Sequence, residues 1–398
     1  MGYYFLILLG ALASLASLYT LYLGRAYEKR TRTVLSRSKA GFAPLTCLIM
    51  ACKGNEPGLE KNINAMLGQK YENYCSVIVT DNAKDPAYTV AGSVIARYPN
   101  SSAKLITAKN HSHASGKVSA LLTALEENKA EVYAFLDSDA FAPPNWLGEL
   151  VDPLCDPSIG ATTGFRWYFP VRNKFWSHVQ SAWNAFGTSL LFDEKYNFPW
   201  GGAMAARAET LDKIKIMEVW SNAVSDDLSL NTALRDHGFR IFFLPQCMVA
   251  SISDITFQSF IRWATIQTAL VRTYYKRLWN YAVVVFAFFN LTFTFGAISV
   301  LAGLRFTPIW FIPGLLLLLP TAMGILRSKA RLNLFKHVVP TMNDQFVAFS
   351  RRSYIASLIV PWIMSYCILK SSRTKEIEWR GRTYKLATSG KLPQAADS

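Results

Sequence analysis

Hydrophobic and polar positions divide this chain into two regimes. Residues 3–23 form an almost unbroken apolar run without a charge, and residues 281–301 and 306–326 form two more, separated by a short turn around Arg305. Each is as long as a helix needs to cross a bilayer core of about 30 Å. Pro308, Pro313 and Pro320 predict kinks in the third run. Residues 354–369 form a shorter run broken by Pro361, which spans, tilts or re-enters. The first run has no basic residue before it and more apolar residues after "ALASLAS", so it reads as a retained anchor rather than a cleaved signal.

Between Pro44 and about Met248 the pattern changes. "LTCLIMA" (45–51), "CSVIVTD" (75–81), "AKLITAK" (103–109) and "EVYAFLD" (131–137) are short apolar runs of strand type, and "PGLEKNINAMLGQ", "YTVAGSVIARYP" and "SGKVSALLTALEENKA" between them carry helical spacing. Such alternation predicts a parallel α/β sheet with ligands outside the carboxyl ends of its strands. The chain therefore divides into an N-terminal transmembrane anchor (1–25), a sheet domain (44–250), interfacial amphipathic helices (251–280), a C-terminal transmembrane region (281–370) and a basic tail (371–398).

Composition sharpens this picture. Apolar residues make up 51% and charged ones 17%, against roughly 25% charged in ordinary globular chains. The net charge of +15 invites a nucleic-acid reading, yet eighteen of the 42 basic residues flank apolar runs, Arg25 to Lys39 and Arg327 to Lys336 among them. That placement follows the positive-inside rule and attraction to anionic lipid, so a membrane rather than nucleic acid is the expected partner. It puts the N-terminus outside and the sheet domain in the cytosol, as in a multi-pass protein of the cell membrane if the source is bacterial. A full crossing by 354–369 would put the basic tail outside, so that segment is expected to be re-entrant or interfacial. The six cysteines show no CxxC or metal spacing and read as reduced, buried apolar residues.

Polar clusters end each of the four strands: "CKGNEPG", "TDNAKDPA", "NHSHASGK" and "DSDA". On a parallel sheet they converge on one crevice, suited to a nucleoside diphosphate with a divalent metal. Asp81 or Asp85 is placed to accept hydrogen bonds from a base or ribose, and Lys117 to meet phosphate at a helix start. Asp137 and Asp139 are alternate residues of an extended segment, point the same way, and offer the oxygen ligands that Mg²⁺ or Mn²⁺ takes. Downstream, "PWGGAMAARAE" (199–209) puts two glycines before a helix-like run, and Asp226 and Asp227 open a helix. Gln258 and Arg262, four apart on one helical face with Trp263 beside them, precede the second apolar run.

The ordered set Asp81/Asp85, Asp137-Ser138-Asp139, Asp226-Asp227 and Gln258-Arg262-Trp263 resembles the D, DxD, (E/T)D, QxxRW series of membrane-bound family 2 type glycosyltransferases. Within these it is similar to the ceramide glucosyltransferase-like group, which "CKGNEPG", "AKDPA", "FIRWA" and the tail "WRGRTY" also resemble. The resemblance implies a nucleotide-diphospho-sugar transferase domain of GT-A type and inverting transfer of a hexose, glucose by analogy, from a UDP-sugar to a lipid hydroxyl. It implies that Asp81 and Asp85 hold uridine and that Lys53, Glu56 and Lys117 line the nucleotide pocket. Asp139 would take the metal with Asp137 in support. Asp227, beside Asp226, would act as general base, with Gln258, Arg262 and Trp263 closing over the diphosphate and acceptor. Where that group reads FGTSH this chain has "FGTSL", so Leu190 replaces a histidine and ceramide as acceptor is put in doubt. The alternative is a processive polysaccharide synthase of the cellulose or hyaluronan kind, which shares the series but needs more helices to form a channel.

Overall fold

The computed structural model describes residues 1–111, 113–339 and 343–386; the end of the expected tail, 387–398, lies outside the described residues. A single helix, α1 (Gly2–Leu35), carries the first apolar run and continues ten residues past the expected anchor end at 25. The alternation then appears as expected: β1 (Thr46–Cys52), α2 (Leu59–Leu67), β2 (Tyr74–Thr80), α3 (Pro86–Ile95), β3 (Ala103–Thr107), α4 (Gly116–Glu127) and β4 (Val132–Leu136). β1 to β4 pair in parallel, Thr46 opposite Tyr74 on one side and Val132 on the other. Continuous apolar runs suit strands covered on both faces. Leu48 and Met50 pack into one layer with Ile63 and Trp146, while Cys47 and Ile49 pack into the other with Leu121 and Phe135.

The next stretch holds α5 (Trp146–Val151), β5 (Ile159–Thr163), β6 (Arg166–Phe169), α6 (Phe175–Ala185), α7 (Thr188–Leu191), β7 (Ala203–Arg207), α8 (Ala208–Lys213), α9 (Ile216–Ser221), α10 (Asp226–Asp236), β8 (Arg240–Phe243) and β9 (Val249–Ile252). The main sheet has seven strands in the order β3-β2-β1-β4-β7-β5-β8. Two sequence expectations change here. The sheet is not wholly parallel, because β7 runs antiparallel between β4 and β5. The helix-like run after Gly201-Gly202 is that same β7: its alanines and methionine favour a helix, but a strand slot at the sheet's centre outweighs the few tenths of a kcal/mol that propensity supplies per residue. β6 and β9 pair separately, in parallel.

The C-terminal part comprises α11 (Phe257–Tyr274), α12 (Lys276–Arg305), α13 (Phe311–Val338), α14 (Asn343–Arg373), β10 (Glu376–Trp379) and β11 (Arg382–Lys385). Pro308 falls in a short turn before α13, whereas Pro320 and Pro361 lie inside α13 and α14. Among the described residues four helices are long and apolar enough to cross a membrane: α1, α12, the segment ending in α13, and Arg352–Arg373 of α14. The end of α13 enters the sheet domain, where Phe335 packs against Phe165 and Trp167. Both ends of α14 touch that domain or its helices: Phe346 packs on Trp167, and Arg272 of α11 donates to the Ser372 and Thr374 carbonyls. Within the expected basic tail, residues 376–385 form the antiparallel hairpin β10–β11. Cys47, Cys52, Cys247 and Cys367 are buried as expected, but Cys155 is exposed.

Candidate active site

The residues that end β1, β2 and β4 do converge. Lys53 follows β1 and Asp81 follows β2, and the Lys53 ammonium lies 2.8 Å from Asp81 Oδ2. Asp137 and Asp139 follow β4. Two carboxylates so close repel unless a cation shares them, and Arg166 does, with Lys117 adding a second cation on Asp137. Arg166, at the start of β6 and 93% buried, pairs with Asp137 and lies 3.1 Å from Asp139. Lys117, in the first turn of α4, reaches Asp137 Oδ1 at 2.7 Å and Asp226 Oδ2 at 2.9 Å. That lysine therefore joins the DxD segment to the acid pair at the start of α10.

The two glycines before β7 complete this centre. Gly202 takes a left-handed φ of +82°, and a β-carbon there would lie 2.3 Å from Asp137 Cγ, so only glycine fits. The Gly201 amide donates to Asp227 Oδ2 at 3.0 Å, while Oδ1 accepts from Ser225 Oγ at 2.5 Å and from the Leu228 amide at 2.7 Å. Asp227 is thus fixed by three donors at the helix start yet still lines the cavity. Asp226 is buried beneath it; burial pushes its carboxyl up from the usual range, with Asp227 adding to the rise and Lys117 opposing it. Burial likewise raises Asp139 to about 6, with Glu56 adding and Arg380 and Lys117 opposing.

Other expected site residues take different places. The Asp85 carboxylate caps α3 through the Ala87 amide and accepts from the Gly54 amide, each at 2.8 Å, so it shapes the β1 loop rather than lining the cavity. Glu56 accepts from Ser138 Oγ at 2.6 Å, bracing the DxD turn from behind. The α11 series divides. Three residues, not two, separate Gln258 from Arg262, and both lie on the exposed face of the helix, because Phe260 and Ala264 turn the other face toward α6 and α14. Arg262 reaches Glu378 of β10 at 2.8 Å. Trp263 does face inward, edge-on to Tyr168 and Trp183, and lines the cavity.

Arg166 and the hairpin arginines Arg380 and Arg382 were missed in the sequence. Nothing local marks Arg166. The hairpin did leave a signal: "EIEWRGRTYK" is two alternating runs around a two-residue turn ending in glycine, the pattern of a hairpin with left-handed turn residues. Arg380 and Gly381 have φ of +50° and +78°.

Oxygen-only ligands one residue apart suit Mg²⁺ or Mn²⁺ when phosphate oxygens complete the shell. Among the described residues no group of three or more His, Cys, Asp or Glu could hold a metal by itself, so Asp137 and Asp139 fit a cation that arrives with a phosphorylated ligand. The carboxylates open into a cavity of about 1520 Å³ that continues between α1, α12 and α13, past Leu21, Val285, Phe289 and Leu326. Leu190 of α7 also lines it.

The sequence profile of glycosyl transferase family 21 matches residues 5–392 of the chain. Among solved structures, a mannosyltransferase from Pyrobaculum calidifontis in complex with GDP-mannose and Mn²⁺ is 16% identical with a TM-score of 0.47, the match covering 91% of this chain and 99% of that one. The structure of GalNAc-T7 with UDP, GalNAc and Mn²⁺ is 12% identical with a TM-score of 0.42, covering 61% of this chain and 51% of that one.

Proposed function

The chain belongs to glycosyl transferase family 21, and from that premise we propose that it transfers a hexose, glucose foremost, from a UDP-sugar to the hydroxyl of a membrane lipid with inversion at the sugar. The observation that carries this reading is the single cavity joining the carboxylate centre to the apolar helices. At about 1520 Å³ it exceeds the roughly 300–1,000 Å³ of ordinary ligand pockets. It has room for a sugar nucleotide at the polar end and a lipid at the other, with Asp227 between them.

In this reading Asp81 and Lys53 meet the nucleoside, and Lys117 meets the phosphates at the start of α4. Asp139 and Asp137 hold a divalent cation, which when bound neutralises charge on the departing diphosphate. Asp227 takes the proton of the acceptor hydroxyl, and its three hydrogen bonds hold it in place. Attack from the side opposite the leaving diphosphate turns an α-linked donor into a β-glycolipid. Trp263 supplies an apolar wall where the acceptor enters. Gln258 and Arg262 are exposed and do not line the cavity, so this reading gives them no part in the chemistry.

The same reading places the sheet domain on the cytosolic side, as the basic flanks of α1 and α13 favour. α1, α12 and α13 cross the bilayer. In this reading α14 lies along the interface rather than crossing, which the contacts of both its ends with the catalytic side support. The test incubates membranes containing the protein with UDP-glucose, UDP-galactose, UDP-GlcNAc and GDP-mannose and a native lipid extract, with and without EDTA, and identifies products by mass spectrometry. A metal-dependent glycolipid carrying one β-linked hexose is expected. A polymer, or no new lipid with any donor, overturns the proposal.

A further inference from the structure

The hairpin β10–β11 hangs over the polar end of the cavity, and Trp379, Arg380, Arg382 and Tyr384 all line it. Its apolar side is anchored: Ile377, Tyr384 and Leu386 pack with Val224 and Leu228 at the start of α10 and with Leu270 of α11. Its turn is a tight two-residue one, with Arg380 and Gly381 both at left-handed backbone angles. The two arginines flanking that glycine point into the cleft. Arg380 donates to Glu56 and, at 3.3 Å, to the Lys53 carbonyl. Arg382 reaches Asp81 Oδ2 at 3.2 Å. Its guanidinium lies against the first turn of α4, where a β-carbon on Gly116 would stand 2.6 Å from Nη1, and the Tyr384 hydroxyl accepts from the Gly116 amide at 3.2 Å.

These guanidinium groups thus stand at the mouth of the site to which the donor reading assigns a nucleoside diphosphate. They remain half-exposed, 41% for Arg380 and 47% for Arg382. With the guanidinium side of each pair open to water, these ion pairs exchange readily. A diphosphate offers denser charge and the bidentate geometry that guanidinium matches. A tail with a purely structural role would need neither arginine at the cleft, because its packing is supplied by Ile377, Tyr384 and Leu386.

We propose that the C-terminal hairpin is a donor clamp, in which Arg380 and Arg382 exchange Glu56 and Asp81 for the diphosphate of a nucleoside-diphosphate sugar. The proposal rests on the donor reading above. The exchange takes Arg382 off Asp81, which keeps Lys53 at 2.8 Å as its partner.

The test uses the full chain in lipid nanodiscs and measures binding of UDP and of uridine, both with Mn²⁺. It compares wild type with the double variants Arg380→Gln/Arg382→Gln and Arg380→Lys/Arg382→Lys. Replacing both by Gln is expected to weaken UDP at least about tenfold while uridine changes less than about twofold, and Lys recovers part of the loss. Hydrogen exchange over 376–385 is expected to slow with UDP and not with uridine. Wild-type UDP affinity in the Gln variant, or equal losses of UDP and uridine, overturns the clamp alone. A wild-type protein that binds none of UDP, GDP and ADP overturns the donor reading, and the clamp with it.

Discussion

The amide of Gly201 donates to Oδ2 of Asp227 at 3.0 Å, so the turn before a central strand aims the carboxylate at the start of α10. Asp227→Asn keeps the shape but removes the capacity to take a proton. Turnover is expected to fall about 10²- to 10⁴-fold, the usual weight of a general base, while UDP affinity stays within about threefold. Single-turnover rates alongside UDP titration check this, and near-normal turnover would end the assignment of Asp227 as the base.

The neighbouring glycines separate two effects. A β-carbon on Gly202 collides with Asp137 and the residue sits at φ +82°, whereas one on Gly201 would lie 2.9 Å from Asp227 Oδ2. Gly202→Ala is therefore expected to disturb Asp137 and, with it, the pair proposed to hold the metal, weakening Mn²⁺-dependent UDP binding more than about tenfold at a cost of about 1–3 kcal/mol in stability. Gly201→Ala is expected to lower kcat with a smaller change in UDP affinity. Binding isotherms and thermal melts of both variants decide whether the losses divide this way.

The legibility of this architecture in sequence follows from how local each signal is. β1 to β4 were readable because strands buried on both faces are continuous apolar runs, and the acids at their ends had only one place to go. β7 was not, since "AMAAR" owes its extended form to β4 and β5 on either side, one of them about seventy residues earlier in the chain. The Gln258–Arg262 spacing correctly put both on one helical face. Which face looks inward was decided by Phe260 packing against α6 and α14, which spacing does not encode. Arg166 is one of 42 basic residues, and only the fold brings it to Asp137, 29 positions away.

His178 of α6 supplies a pH prediction. Burial pushes its imidazole down from the ordinary 6.5 to about 4, with Arg352 adding to the fall and Asp254 opposing it. Between those values the unfolded chain binds a proton that the native protein excludes, so stability falls as pH drops from 6.5 toward 4 and is unaffected by this group above 6.5. The melting temperature of wild type is expected to drop more steeply over that window than that of His178→Gln, whose side chain stays neutral. Parallel curves for the two proteins would show that His178 is not kept neutral by the fold.

Leu190 bears on the acceptor. It lines the cavity on α7, in the stretch where the ceramide glucosyltransferase-like group reads histidine. A polar side chain there would offer a hydrogen bond to the polar end of a ceramide; leucine offers only apolar surface, and a pocket that leaves a buried amide or hydroxyl unpaired rejects that ligand. Leu190→Trp adds bulk to the wall and is expected to raise the lipid KM several-fold while leaving the UDP dissociation constant within about twofold. Leu190→His is expected to increase the share of ceramide glycosylated when ceramide competes with the native lipid extract. Mass spectrometry of the mixed products reads both at once. If neither variant alters lipid KM or product ratio, the acceptor does not pass Leu190, and the apolar half of the cavity is not its route.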